Sequence, residues 1–186
     1  MDHGTLNEEH ALQLRPMEPA DAAVFASWGQ DADFCRAAGW RDGLSEAHLL
    51  AFWEGVVASP PQGLRRLTAT LGGVVVGYVD LHGPGPEALE LGYLIGPSSR
   101  WGQGLGTAAA RLGLRYGFTV LDLARVWAEA PASNTASVRI LQRLRMADDG
   151  MGGPTTFRDE STRYLRFSIT RAQWQATVPR APGRTL

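Results

Sequence analysis

The chain has 186 residues, of which 44% are hydrophobic and 20% are charged, and its formal net charge is −1. This length and composition are typical of one globular domain, and a charge so near zero gives no general attraction to nucleic acid. Its single cysteine, Cys35, excludes an internal disulfide and indicates a reducing, cytoplasmic environment. No apolar run approaches the about 18 residues of a membrane span, and the polar N-terminus lacks the pattern of a signal peptide.

The hydrophobic pattern divides residues 12–178 into strands and helices, and we expect this range to be one domain between loose tails over 1–11 and 179–186. In chain order it predicts a strand, two helical segments, a β-hairpin, a strand, a helix, a strand, a helix and a closing strand, over residues 12–15, 19–28, 45–56, 67–81, 89–95, 105–116, 125–130, 135–145 and 163–169. Gly72 and Gly73 predict the two-residue turn of the hairpin. The glycine-rich residues 150–154 indicate a flexible turn.

Three glycines lie within residues 102–106, in the run Trp-Gly-Gln-Gly-Leu-Gly-Thr of residues 101–107. This run follows the predicted strand over 89–95 and leads into the helix that is predicted to begin near Leu105. Glycine lets the backbone come close to a ligand and adopt a positive φ. Backbone N–H groups that point together at the start of a helix attract anionic oxygens. The run therefore predicts a pyrophosphate-binding loop.

Two classes of phosphate loop fit this run poorly. A nucleotide-binding P-loop requires a lysine, and the chain has none, because all 18 basic residues are arginine. The dinucleotide-binding pattern G-x-G-x-x-G/A is satisfied by Gly104, Gly106 and Ala109. That loop, however, normally belongs to the first unit of a parallel sheet, and here it lies mid-chain behind a predicted hairpin. A Rossmann-type, NAD-binding protein stays as an alternative.

The run also resembles the acyl-CoA loop of the GNAT family of N-acetyltransferases, which is written Q/R-x-x-G-x-G/A. Gly104 and Gly106 match its glycines, and Trp101 stands where the family usually has Gln or Arg. A W-G-x-G sequence is common in the branch that contains the ribosomal-protein N-terminal acetyltransferases. The chain therefore resembles that branch of the family.

Three further motifs, in the right order, extend the resemblance over most of residues 12–175. They are Glu-Leu-Gly-Tyr at 90–93, Asn-Thr-Ala-Ser at 134–137 and Ile-Thr-Arg-x-x-Trp at 169–174. The resemblance implies a mixed α/β fold in a single domain, with a mostly antiparallel sheet of six to seven strands and about four flanking helices. In this family the sheet is splayed between strands 4 and 5. The resemblance also implies acetyl-CoA as the cosubstrate.

The same resemblance indicates where acetyl-CoA binds. The backbone of residues 102–107 is expected to hold the pyrophosphate, and the splayed strand is expected to pair with the pantetheine arm much as an added strand does. The expected cofactor-binding residues are Leu94, Ile95, Arg100, Trp101, Gly102, Gln103, Gly104, Leu105, Gly106, Thr107 and Asn134. Asn134 is also a preferred helix N-cap, and Arg100 is either a phosphate ligand or a solvated loop charge.

Two residues are candidates for catalysis. Glu90 is the candidate base, because amine attack on a thioester needs a neutral amine and a desolvated glutamate has a raised pKa. The alternative is a strand glutamate that is bonded to a neighbouring strand. Ser137 either hydrogen-bonds the leaving thiol or is only a first-turn residue of a helix. Some relatives carry a tyrosine acid at the position of Leu141, so the sequence leaves catalytic competence open.

The resemblance thus implies an acetyl-CoA-dependent N-acetyltransferase in which a primary amine attacks directly in a ternary complex. The expected acceptor is a small-molecule amine or a peptide N-terminus, with no nucleic-acid or membrane partner, and the protein is expected to be a monomer or a homodimer. An acyl-CoA-binding or sensing module without turnover is the alternative that the missing tyrosine permits. Arginine to the exclusion of lysine indicates a bacterial source, and the four scattered histidines lack metal-site spacing.

Overall fold

A computed structural model describes residues 11–177, except for residues 42 and 86. Within this range the chain forms a seven-stranded sheet with the order β1-β2-β3-β4-β5-β7-β6. The strands are β1 Leu12–Pro16, β2 Leu64–Leu71, β3 Val74–His82, β4 Ala88–Ile95, β5 Arg125–Pro131, β6 Ala147–Phe157 and β7 Glu160–Thr170. The predicted tails over 1–11 and 179–186 lie outside the described residues apart from Ala11, and the domain bounds at 12 and 178 stay a prediction.

Six α-helices accompany the sheet in the described part of the chain. They are α1 Asp21–Ser27, α2 Ala32–Ala38, α3 Glu46–Ala58, α4 Leu105–Thr119, α5 Thr135–Arg143 and α6 Arg171–Thr177. Four of them, α1, α3, α4 and α5, follow the predicted helical segments, and α2 and α6 add one short helix each. Ser45 caps α3 by accepting a hydrogen bond from the N–H of His48 at 3.2 Å, as a serine before an apolar helical pattern indicates.

Strands β4 and β5 form the one parallel pair of the described sheet, and they stay paired over a short distance. The register runs from Ala88 opposite Arg125 to Glu90 opposite Trp127. Beyond Glu90, β4 continues to Ile95 along β3 alone, while β5 continues along β7. This mixed, mostly antiparallel sheet, splayed between β4 and β5, confirms the predicted fold class. It also excludes the Rossmann alternative, which needs a parallel, doubly wound sheet.

Two glycine-rich segments of the sheet were predicted to be turns, and the structure confirms one of these predictions and not the other. Gly72 and Gly73 have φ of 56° and 79°, as the tight turn of a twisted hairpin requires, so that prediction is confirmed. The prediction of a flexible turn over residues 150–154 is wrong, because these residues belong to the edge strand β6, whose register against β7 shifts twice. Glycine and proline are tolerated where an edge strand bulges.

The core has two parts, one on each face of the sheet. On one face, α4 packs so closely that a Cβ on Gly113 would lie 2.6 Å from Leu91 and 2.7 Å from Val79. On the other face, the N-terminal helices bury an aromatic cluster that contains Phe25, Trp28, Phe34, Trp53 and Tyr78. Trp101 packs against both parts. The loop that follows β4 is therefore held between the two halves of the molecule, beside the point where β4 and β5 separate.

Candidate functional site

A cavity of about 410 Å³ opens beside the end of β4. The glycine loop, the first turn of α4, one side of α5, part of α2 and the β6–β7 turn complete its wall. The expected cofactor-binding residues that line it are Leu94, Ile95, Arg100, Trp101, Gly102, Gly104, Leu105, Gly106, Thr107 and Asn134. Gln103 lies outside this lining, and its side chain donates to the carbonyl oxygen of Ser99 at 3.2 Å.

The glycine loop presents backbone N–H groups to this cavity. Gly102 and Gly104 have φ of 76° and 80°, in the left-handed region that favours glycine. Gly104 is the N-cap of α4 and offers no side-chain cap. The N–H of Ala108 bonds to the carbonyl of Gly104, so the N–H groups of residues 105–107 have no acceptor within the helix. Together with the positive end of the helix dipole, they suit a phosphate oxygen.

Trp101 fixes this loop to the end of β4. Its Nε1 donates to the carbonyl oxygen of Ile95 at 2.8 Å, and its ring packs against both parts of the core. The guanidinium carbon of Arg158, from the β6–β7 turn, stands 5.7 Å from the centre of a Trp101 ring. The indole therefore braces the glycine loop and supports the turn that forms another part of the cavity wall.

The open edge of β4 presents the backbone of Tyr93 and Ile95. The N–H of Gly96 donates to the carbonyl of Val76 on β3 at 3.0 Å, and the direction of backbone groups alternates along a strand. Leu94 therefore points its N–H and carbonyl toward β3, although it lines the cavity. The N–H groups of Tyr93 and Ile95 point to the side that β5 has left. They are the groups with which an extended ligand would pair.

Four arginines line the cavity, namely Arg100, Arg139, Arg143 and Arg158. Within the described residues none of the four forms an ion pair, whereas Arg66, for example, is bonded to Asp80 at 2.5 Å. Arg139 and Arg143 are neighbours one turn apart on α5. The sequence alone pointed only to Arg100, because an i, i+4 pair on a helix is equally typical of a solvated face. Four cations without carboxylate partners favour a ligand with several negative charges.

A tyrosine that the sequence did not single out meets the candidate serine at this cavity. The hydroxyl oxygen of Tyr93 lies 2.8 Å from Oγ of Ser137, and burial raises the pKa of Tyr93 to about 12. The N–H of Ser137 donates to Oδ1 of Asn134 at 3.1 Å, which makes Asn134 the N-cap of α5. Leu141, where relatives carry a tyrosine, is 1% exposed in the core. Tyr93 continues the apolar alternation of β4, so its polar contact gives no local signal.

Glu90 stands outside the cavity lining, on the face of β4 opposite to that of the buried residues packed on α4. Its half-buried carboxylate lies 3.6 Å from Nε2 of His82 on β3. Burial is the main cause of the raised pKa of Glu90. The charge of Glu129 raises this pKa further, whereas the charges of His82 and Arg166 lower it. Glu90 occupies the last paired position before β4 and β5 separate. Glu90 therefore lies beside the gap between β4 and β5, on the face of the sheet opposite to α4.

The described residues contain no group of three or more His, Cys, Asp or Glu side chains that would hold a metal ion. None of the helices described here is long and apolar enough to cross a membrane.

Known proteins share both the sequence pattern and the fold. A family model described as an acetyltransferase (GNAT) domain matches residues 11–147. Spermidine N(1)-acetyltransferase from Escherichia coli strain K12 is 28% identical to the chain, and the match covers 95% of each protein. This family model spans the glycine loop, β4 and α5, which form most of the cavity wall.

Two solved structures show the same fold at lower identity. Spermidine N-acetyltransferase from Vibrio cholerae, in complex with CoA and spermine, has a TM-score of 0.74 and 17% identity, over 88% of this chain and 98% of that chain. An aminoglycoside acetyltransferase in complex with coenzyme A has a TM-score of 0.71 and 19% identity, over 90% and 99% of the two chains. The chain belongs to the GNAT family of acetyltransferases, and it is an acetyl-CoA-dependent N-acetyltransferase.

Proposed function

We propose that this enzyme transfers the acetyl group of acetyl-CoA to a primary amine of a small, cationic molecule. The observation that supports its cosubstrate is one cavity at which the N–H groups of residues 105–107, which have no acceptor within α4, meet four arginines without ion pairs. CoA is an extended ligand with several phosphate charges, and it matches this combination of a helix N-terminus and guanidinium groups.

The cosubstrate is assigned to the cavity in three parts. Its pyrophosphate takes the N–H groups of the glycine loop and of the first turn of α4. Arg139, Arg143 and Arg158 neutralise the remaining phosphate charge from α5 and the β6–β7 turn. The pantetheine amides pair with the open edge of β4, where the N–H groups of Tyr93 and Ile95 also offer donors to the acetyl oxygen as negative charge develops on it.

Catalysis in this proposal relies on positioning and proton transfer. The amine nitrogen forms a bond to the acetyl carbon, and the carbon–sulfur bond breaks with its electron pair moving to sulfur. Glu90 takes the proton of the amine through water, a role that its raised pKa supports because the ideal base has a pKa near the working pH. Ser137 donates a hydrogen bond to the leaving sulfur, since it lines the cavity.

The sheet face that carries Glu90 supports a cationic acceptor. Trp127 lies opposite Glu90 across the β4–β5 pair, and Glu129 follows two residues later on the same face of β5. Carboxylates beside an aromatic ring suit an alkylammonium group, although Glu129 already bonds Arg166. A relative that is 28% identical is named a spermidine N(1)-acetyltransferase, which supports a polyamine-like acceptor.

A protein N-terminus is the second candidate acceptor. It is favoured by the W-G-x-G sequence of residues 101–104, through which the chain resembles ribosomal-protein N-terminal acetyltransferases. The two acceptors differ in what surrounds the reacting amine. A polyamine carries a second ammonium group at a fixed distance, whereas a peptide carries an amide chain.

A panel of acceptors tests the proposal. The protein is incubated with acetyl-CoA and either spermidine, spermine, an aminoglycoside, or a peptide that begins with alanine or serine. Release of the CoA thiol and the mass of the product are measured. We expect acetylation of spermidine or spermine and none of the peptides, and we expect Glu129→Gln to raise the KM for the polyamine. Acetylation of the peptides alone would assign the protein N-terminus instead, and no acetylation of any acceptor would contradict the proposed function.

A further inference from the structure

The side chains of Tyr93 and Ser137 approach each other from β4 and α5. The two hydroxyl oxygens are 2.8 Å apart, and the carbonyl oxygen of Ser137 lies 3.4 Å from the Tyr93 oxygen. Both acceptors that the described residues offer to the Tyr93 proton therefore belong to Ser137. The Tyr93 side chain is partly buried at the cavity wall, where a hydroxyl donates to an available acceptor, and a contact of 3.4 Å is long for an O–H donor. Tyr93 is therefore best placed to donate its hydrogen bond to Oγ of Ser137.

This direction leaves the serine proton unused. A serine hydroxyl accepts and donates at the same time, so Oγ of Ser137 accepts from Tyr93 and keeps its own O–H for another acceptor. The serine lines the cavity, and its backbone is fixed by the N-cap bond to Asn134. The pair thus aims one hydrogen-bond donor at whatever occupies the cavity next to α5.

We propose that Tyr93 is a positioning residue for acetyl transfer, which holds the Ser137 hydroxyl so that its proton points at the departing sulfur of CoA. The inference rests on the proposed placement of the thioester in the cavity. Some relatives carry a tyrosine acid at the position of Leu141, which is buried here. In this chain the Tyr93–Ser137 hydroxyl pair would supply the hydrogen-bond donor instead.

Acidity decides that the pair donates a hydrogen bond and does not lose a proton to the sulfur. The pKa of Tyr93 is raised to about 12 by burial, and an ordinary thiol has a pKa of about 8.5, so net transfer from tyrosine to thiolate is unfavourable by about three to four powers of ten. The electron pair of the broken carbon–sulfur bond stays on sulfur, and the thiolate leaves with the Ser137 hydrogen bond. The proton released by the amine leaves through water toward Glu90.

The thiol pKa of bound CoA measures this donor without any acceptor amine. CoA is titrated in the presence of excess protein, and the thiolate is followed by ultraviolet difference absorbance against CoA-free protein. In the wild-type protein we expect the thiol pKa to lie about one unit below that of free CoA, because a donor to the thiolate favours the ionised form. Tyr93→Phe and Ser137→Ala should each remove most of this shift, and the double variant should match Ser137→Ala alone.

Tyr116→Phe is the matched control, since Tyr116 is a half-buried tyrosine that packs against the same part of the core from α4, outside the cavity lining. It should keep the wild-type thiol pKa. An unchanged thiol pKa in Tyr93→Phe that binds CoA with wild-type affinity would overturn the inference. If Tyr93→Phe unfolds, Ser137→Ala decides alone, because it removes the donor from a half-buried helix turn. Failure of the wild-type protein to bind CoA at all would instead contradict the proposed function.

Discussion

The indole Nε1 of Trp101 donates a 2.8 Å hydrogen bond to the carbonyl oxygen of Ile95. This bond joins the first residue of the glycine loop to the last residue of β4, so one side chain sets the angle between the strand and the loop. A neutral hydrogen bond contributes about 0.5–1.5 kcal/mol. Trp101→Phe removes the bond and keeps an aromatic ring, and we expect the dissociation constant for CoA to rise about two- to tenfold.

Isothermal titration with CoA checks this expectation. Trp174→Phe is the control, because Trp174 lies on α6 and stacks on Phe118, 5.2 Å between ring centres and away from the cavity lining. It should bind CoA as the wild type does. A Trp101→Phe variant with an unchanged dissociation constant would show that the loop keeps its orientation without the indole bond.

The two arginines on α5 are expected to contribute charge to CoA binding. Both are exposed, and an exposed ion pair is worth about 0.2–1 kcal/mol, so each of Arg139→Gln and Arg143→Gln should weaken CoA binding by a few-fold, at most about fivefold. The losses should shrink as salt is added, since salt screens exposed charges. Arg111→Gln, an exposed arginine of α4 outside the cavity lining, is the control. Equal losses in all three variants would point to net charge alone.

Glu90 is expected to act as a base only when it is ionised. Its pKa is raised mainly by burial, so kcat/KM should fall as the pH decreases through that raised value. Glu90→Gln should lower kcat by about 10²–10⁴-fold, the usual contribution of a general base, and leave CoA affinity nearly intact. The loss should shrink at high pH, where the amine is already neutral. Glu87→Gln, an exposed residue just before β4, should turn over normally; wild-type turnover in Glu90→Gln would return Glu90 to a structural role.

The same raised pKa fixes the sign of a stability effect. Below the ordinary glutamate pKa of 4.5, the carboxyl is protonated in both the folded and the unfolded chain, so its ionisation does not lower the free energy of unfolding. As the pH rises from this unfolded-state value to the raised folded-state pKa, the unfolded chain ionises before the half-buried group does, so the folded protein loses stability. Glu90→Gln should therefore melt at a higher temperature than the wild type near neutral pH and at the same temperature in acid. A difference in melting temperature that does not change with pH would show that ionisation of Glu90 is not its cause.

Asn134 combines a structural contact with a place in the cavity wall. As the N-cap of α5 it accepts from the N–H of Ser137, and Asn134→Ala should cost about 0.5–2 kcal/mol of stability, with rescue by serine or aspartate. Aspartate, however, places a negative charge in the wall of the proposed CoA cavity and loses the amide donors. We expect Asn134→Asp to keep the helix and to weaken CoA binding or turnover. Full activity with acetyl-CoA in a stable Asn134→Asp variant would leave Asn134 as a cap only.

The features that sequence predicts well are those with a local cause. The positive φ values of Gly72 and Gly104 follow from residue types that tolerate them, and the hairpin and the glycine loop were therefore predictable. The position of the loop on the splayed sheet followed from the order of the motifs. Asn134 as a helix cap was predictable because the capped N–H lies three residues away.

The features that sequence misses are brought together by distant segments. Tyr93 and Ser137 are 44 residues apart, and a tyrosine in an apolar strand has no local sign of a polar partner. Arg158 reaches the cavity from the β6–β7 turn, and β6 itself was hidden by the glycine and proline of residues 150–154. Packing between distant segments, of a helix on a strand in one case and of strand on strand in the other, decides both contacts, and neither pattern nor spacing reports it.

The phosphate role of the glycine loop is tested most directly by CoA-induced thermal stabilisation of Gly104→Val beside Gly73→Val. The two glycines have nearly equal φ, 80° and 79°, and a Cβ on either meets nothing within 4 Å outside its chain neighbours. Backbone strain therefore lowers both melting temperatures alike, but only Gly104 belongs to the cavity. At a CoA concentration 100 times the dissociation constant, about 2.7 kcal/mol of stabilisation is expected for the wild type and Gly73→Val, and none for Gly104→Val. A folded Gly104→Val protein that keeps the full CoA shift would contradict the assignment of the loop to the phosphates.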